Sequence, residues 1–310
     1  MEKRKHHFRS MSTGDKAFMI FVYVTVTLAL LVCLYPMYYI VIRSFSREAV
    51  GVYLWPKRAT IQGYVEVIKY KDLWIGYGNT IFYTVCGTLV SLFCTLTFAY
   101  AFSRKYLVGR GFFAVLIMIP MFISGGMIPS YLTVLNLGLI NSRFYILISS
   151  AATTYNIMVA RTYFRTNIPD ELYEASLLDG CGEGRFLTAI VLPLSKAIIA
   201  VEALYYGVAR WNSYSTEMIY LRERSKYSLA QFLRELLWTV NTIKAQLSGE
   251  NIMETEQLSA KALEELAARA ELADCMQYGM IIFSCIPMMI VYPYLQKYFA
   301  KGVMVGSVKG

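Results

Sequence analysis

Residues 17–42, AFMIFVYVTVTLALLVCLYPMYYIVI, run for a whole helix length without one charged side chain. A helix that crosses a hydrocarbon core of about 30 Å needs roughly 20 such residues. Inside lipid only a helix or a closed barrel satisfies its own backbone. Five further segments read the same way: 79–102, 112–136, 144–164, 188–209 and 276–298. The third holds Pro120, Gly125, Gly126 and Pro129 and is expected to bend or break. The expected fold is an all-α membrane protein, with six transmembrane helices spread over residues 17–298.

Composition agrees with that class. Of the 310 residues, 56% are hydrophobic and 16% charged, too greasy a balance for a soluble domain. The net charge of +9 is carried outside the apolar runs, which suits topogenic charge and affinity for anionic lipid. No basic face with interleaved aromatics is present, so nucleic-acid binding is not expected. The two histidines, His6 and His7, both lie in the basic leader, which leaves no material for His-dependent hydrolysis or a His-rich metal site. Six cysteines form no CxxC pair, and four of them sit inside apolar runs, where they are expected to serve as small hydrophobes and not as ligands. No metal site is expected.

Orientation follows the short loops. The tail 1–16 carries Lys3, Arg4, Lys5, Arg9 and Lys16, and reads as a retained cytoplasmic segment and not a cleaved signal. Loop 103–111 carries Arg104, Lys105 and Arg110 with no acid, and the tail 299–310 carries Lys301 and Lys309. With six spans these fall on one side, so both termini are expected in the cytoplasm. Loop 43–78, with six Lys/Arg on the outer face, works against this. Segment 211–275 is then external, and its run ETEQLSAKALEELAARAELAD is built from strong helix formers. It reads either as a solvated helix lying on the membrane surface or as a surface that receives a partner.

Between the fourth and fifth spans, loop 165–187 breaks the apolar pattern with EASLLDGCGEGRFLTAIVLP at 174–193. Pro169 suits a first helical turn, Asp170 and Glu171 favour the positive end of the helix dipole, and Gly180 can stop the helix. From Pro169 to Asp179 the rod would be about 16 Å long. Small residues Ala175 and Ser176 allow close approach, and Glu174 offers a charge. On residues alone the segment is either a docking helix bolted to two spans or an ordinary loop.

The spacing of these residues resembles a known family. Glu174-Ala175-Ser176, then Gly180, nine residues, Ile190, one residue and Leu192-Pro193 match the EAA---G---------I-LP pattern of ATP-binding-cassette importer permeases, with Ser176 in place of the second Ala. The tail YLQKYFAKGVMVGSVKG is similar to that of carbohydrate permeases of the maltose-transporter type, and the long segment 211–275 resembles the oligosaccharide and polysaccharide subgroup. The resemblance implies a type I importer fold and a non-catalytic subunit in the bacterial cell membrane. It implies that Glu174, Ala175, Ser176, Asp179 and Gly180 meet a nucleotide-binding ATPase subunit, and that Gly302, Gly306, Lys309 and Gly310 reach the interface of the ATPase dimer. It also implies a second permease subunit, an extracytoplasmic solute-binding protein and an oligosaccharide substrate. No cofactor is expected in this chain, because ATP and Mg would be bound by the partner subunits. Accordingly no Gly-x-x-x-x-Gly-Lys-Ser/Thr motif occurs.

For the translocation path the expected residues are Asn79, Glu202, Tyr205 and Tyr206. Glu202 lies past the middle of the fifth span, where a carboxylate is costly unless it faces a cavity or a partner. Both readings stay open, as do a peptide or amino-acid permease and, more distantly, an ion-coupled secondary transporter. The last would need paired intramembrane acids or broken helices in two repeated halves, which are not evident.

Overall fold

A computed structural model of the chain describes residues 12–47, 55–56, 58–123, 125–247 and 260–307. Along the chain the helices are α1 (Thr13–Ser44), α2 (Gln62–Lys69), α3 (Lys71–Ser103), α4 (Arg110–Phe122), α5 (Met127–Asn136), α6 (Arg143–Ile148) and α7 (Thr154–Asn167). They continue as α8 (Asp170–Leu178), α9 (Glu183–Phe186), α10 (Lys196–Trp211), α11 (Ser215–Tyr220), α12 (Leu229–Leu247) and α13 (Ala260–Ser307). Among the described residues the only extended pairing is one bridge, Ser46 to Ala59.

Among the described residues three stretches are long and apolar enough to cross a membrane: α1, α3 and residues Ala267–Pro293 of α13. Two bent pairs raise this to as many as five. The first is α4 with α5, broken before Gly126, whose φ of 82° places it where a side chain is disfavoured. The second follows α9, where a π turn at Leu187–Val191 leads into Leu192–Leu194 and the chain bends by 84° at Ser195 before α10. Pro193 supplies no N–H to the ladder there, and π turns open a helix at such points. The stretch expected as a fourth crossing, 144–164, is instead the short α6 and the 14-residue α7, separated by a non-helical link. Neither alone is long enough to cross.

The last helix also departs from expectation. α13 has 48 residues, so it takes in positions 260–275 assigned above to an external segment and positions 299–307 assigned to a tail. At 1.5 Å per residue it is about 72 Å long, well beyond a bilayer core. Alanine- and glutamate-rich sequence joins apolar sequence here without a stop signal, because both are good helix formers.

The chain forms two compact units. In the first, the described residues up to Lys69 pack with the described residues of 238–283. Its interior holds a buried ion pair between Arg43 and Asp274, with the Arg43 guanidinium 5.4 Å from the Tyr278 ring centre. Gly63 abuts Cys275 so closely that a Cβ would lie 2.9 Å from its backbone.

The second unit comprises Tyr70–Leu237 and the chain from Ser284. α3 is its axis, packed along α7 and α10. Leu96, Ala99 and Tyr100 of α3 meet Ala160 and Phe164 of α7, Ile198 of α10, and Tyr173 and Phe186 from the connecting segment. Toward its other end α3 carries the segment before α12. Thr80 accepts from the Leu229 N–H at 2.8 Å, and the Tyr83 hydroxyl donates to the Lys226 carbonyl at 2.9 Å.

Candidate functional site

The docking segment is a formed helix. α8 runs Asp170–Leu178, with Pro169 extended before it and Asp170 and Glu171 in its first turn. It ends because Gly180 adopts φ 70°, which lets the Gly180 N–H reach Leu177 O at 3.0 Å and the Cys181 N–H reach Ser176 O at 2.9 Å. Lys105 donates to Asp170 at 2.6 Å. That bond pushes the Lys105 ammonium up and holds the Asp170 carboxyl below its ordinary value.

The expected contact residues divide between two faces. Glu174, Ala175, Asp179 and Gly180 are exposed. Ser176 is only 5% exposed and turns inward, its hydroxyl bonded to Tyr173 O at 2.7 Å, so it sets the helix on its core and is not on the outer face. The exposed apolar residues are Leu177 and Leu178, the latter 91% exposed. Sequence reading passed over them. Their signal was two leucines just before a helix-stopping glycine, on a segment otherwise polar.

A cavity of about 420 Å³ opens elsewhere in the same unit, lined by Tyr83, Tyr155, Tyr205, Tyr206, Asn156, Thr153, Arg210 and Glu217 among others. Tyr206 bonds the Thr95 hydroxyl at 2.6 Å and the Thr153 hydroxyl at 3.1 Å. Of the four residues expected on a path, Tyr205 and Tyr206 line this cavity; Asn79 and Glu202 do not. The Asn79 amide donates to Ser225 O and Tyr227 O, both at 2.9 Å, and so ties a loop to α3. Glu202 is fully buried, and neither carboxyl oxygen has a hydrogen-bond partner. Glu217, missed by sequence reading, lines the cavity from α11 with its Oε2 unpaired. Burial pushes its carboxyl up to about 7, against a smaller opposing pull from the Ser228 hydroxyl. Among the described residues no group of three or more His, Cys, Asp or Glu is placed to share a metal ion.

Of Gly302, Gly306, Lys309 and Gly310, the first two fall within α13, and Lys309 and Gly310 lie outside the described residues.

Residues 87–220 match the family model described as the binding-protein-dependent transport system inner membrane component. Protein LplC of Bacillus subtilis (strain 168) is 34% identical over 89% of this chain and 89% of its own length. The chain belongs to this family. A second relative of this inner-membrane component is the polygalacturonan/rhamnogalacturonan transport system permease protein YtcP of the same organism, 32% identical over 96% of the chain and 99% of its own length. A solved bacterial ABC transporter involved in the import of the acidic polysaccharide alginate contains a chain with the same fold. It is 32% identical, with a TM-score of 0.80, and the match covers 93% of this component and 99% of that chain. The component therefore has the fold of an ABC importer permease, with several membrane-crossing helices. The family match runs from Gly87 in α3 to Tyr220 at the end of α11, and so takes in both α8 and most of the cavity wall.

Proposed function

We propose that this chain is a permease subunit of an ATP-driven importer that carries oligosaccharides into the cell. The observation that carries the reading is α8: a short helix seated on the core through Tyr173 and Ser176, with Glu174, Ala175, Leu177 and Leu178 turned outward. An apolar pair flanked by the Glu174 and Asp179 carboxylates, on a rigid base, suits insertion into a cleft of another protein. The chain is non-catalytic, and ATP with Mg is bound and hydrolysed by a pair of separate nucleotide-binding subunits. Their closure pushes α8 and shifts the membrane helices between inward-open and outward-open packings. A second permease subunit completes the path, and a solute-binding protein delivers the sugar from outside.

One relative named for polygalacturonan/rhamnogalacturonan transport, and a structural neighbour named for alginate import, favour oligosaccharides over peptides or amino acids. Tyr155, Tyr205 and Tyr206, with the hydroxyls and amide around them, offer the stacking and hydrogen-bonding surfaces that a sugar needs. The test is gentle-detergent purification of the chain from its native membrane. Recovery of an ATPase, a second permease and ATP-dependent uptake of oligogalacturonides is the expected result. Isolation of the chain alone, with uptake driven by an ion gradient, would refute the reading.

A further inference from the structure

Arg104 caps α3, and its guanidinium lies among three aromatic rings. The Tyr100 and Tyr173 ring centres are each 4.6 Å away, and that of Phe186 is 4.7 Å away. These rings come from three different elements: the last turn of α3, the middle of α8 and the end of α9. Tyr173 stands edge-on to Phe186 at 5.2 Å. Below them the Glu183 carboxylate accepts one hydrogen bond from the Tyr100 hydroxyl and one from the Tyr173 hydroxyl. A cation is drawn to the faces of aromatic rings, and a carboxylate bound by two hydroxyls makes charge-assisted bonds. The cluster therefore joins three elements through one guanidinium and one carboxylate.

Such a joint has a mechanical consequence. The backbone connects α8 directly to α7 and to the 179–182 link, while among the described residues α3 meets it through side chains. A push on α8 reaches α3 only if the side chains between them keep one arrangement, since displacement is otherwise absorbed by repacking. We propose that Arg104 is a positioning residue for energy coupling: its three-ring seat makes α8 and α3 move as one body. This rests on the reading of α8 as the docking helix.

The experiment uses the assembled importer with its binding protein present. Spin labels are placed at Glu171 on α8 and Phe93 on α3, both exposed, in a background without the six native cysteines. Distances are read with no nucleotide and with ATP in excess EDTA. In the native chain the distribution is expected to be narrow and unchanged by ATP. Arg104→Met should broaden it while the ATPase still co-purifies. It should also reduce the stimulation of ATP hydrolysis by the binding protein about two- to thirty-fold, the range of coupling changes seen along such networks. Arg104→Lys, which keeps a cation among the rings, should preserve the narrow distribution. A merely stabilising role would leave both the width and the stimulation of any assembled Arg104→Met complex at native values, and that result overturns the proposal. Should Arg104→Met fail to assemble, Glu183→Gln is read in the same way, since it keeps the side-chain shape and weakens both tyrosine bonds. A native chain that brings down no ATPase overturns the docking reading and this inference with it.

Discussion

Arg210 occupies the space that a side chain at Gly87 would need. A Cβ on Gly87 would lie 2.5 Å from Arg210 Nη1. The guanidinium has nowhere to retreat, because it donates to Ile146 O at 2.9 Å, to Leu147 O at 2.8 Å and to the Ser91 hydroxyl at 3.0 Å. A buried cation is thus held by carbonyls at the end of α6, and α3 carries a glycine where the cation crosses it. Gly87→Ala should destabilise the chain by about 1–3 kcal/mol, the usual cost of overpacking combined with loosened hydrogen bonds. Thermal unfolding in detergent checks it. Gly78→Ala, at a helical position with open space beside it, serves as the control and should gain up to about 1 kcal/mol from helix propensity.

Glu217 predicts a pH dependence with a definite sign. Its folded pKa of about 7 stands above its ordinary 4.5, raised by burial. Between those values the folded protein binds more protons than the unfolded chain, so stability is greatest at low pH and falls as pH rises toward 7. At 1.36 kcal/mol per pH unit, the full difference is about 3 kcal/mol as an upper bound. Glu217→Gln should flatten the part of the pH profile between about pH 4.5 and 7 that this residue supplies. It should also leave the variant more stable than the native chain at pH 8. A profile with the same slope in both proteins would show that the carboxyl is solvated through the cavity it lines.

In the first unit, Arg43 and Asp274 form a buried ion pair. Removing one member of such a pair strands the other charge, which costs about 3–5 kcal/mol, whereas replacing both with apolar residues is often close to neutral. Asp274→Ala should therefore lower the unfolding temperature far more than the double change Arg43→Met with Asp274→Leu. Parallel unfolding of the three proteins in one detergent decides it. Equal losses in the single and double variants would mean that the pair contributes through packing and not charge.

How much of this was legible beforehand depends on how local each signal is. The start and stop of α8 were legible, because Pro169, Asp170, Glu171 and Gly180 act within one turn of themselves. The break before α5 was legible for the same reason, at Gly126. What stayed hidden was long-range pairing. Asn79 is grouped by sequence with Glu202, Tyr205 and Tyr206 on a path, yet its amide donates to carbonyls 146 and 148 positions away. Ser176 was counted with its neighbours by motif, but only the helix phase shows that it points inward. That the helix-forming run before 276 and the last span share one helix, α13, was not legible, because lipid boundaries leave no mark on a backbone that is helical on both sides of them.

The docking face yields the last prediction. Leu178 is almost wholly exposed at the tip of α8, beside Leu177 and within one turn of Glu174. An exposed pair of leucines gains little from water, and burial of a leucine side chain is worth about 1.5–3 kcal/mol. If the tip fills a cleft in an ATPase subunit, Leu178→Asp both loses that burial and places a carboxylate in an apolar pocket. Co-purification of the ATPase should fall by about tenfold or more, since each 1.4 kcal/mol is a factor of ten. Folding of the chain should be untouched, because Leu178 packs on nothing in its own core. Ser176→Leu should do the opposite, disturbing the seat of α8 and the stability of the chain before any binding is measured. Recovery of the ATPase at native yield with Leu178→Asp would move the interface off this tip.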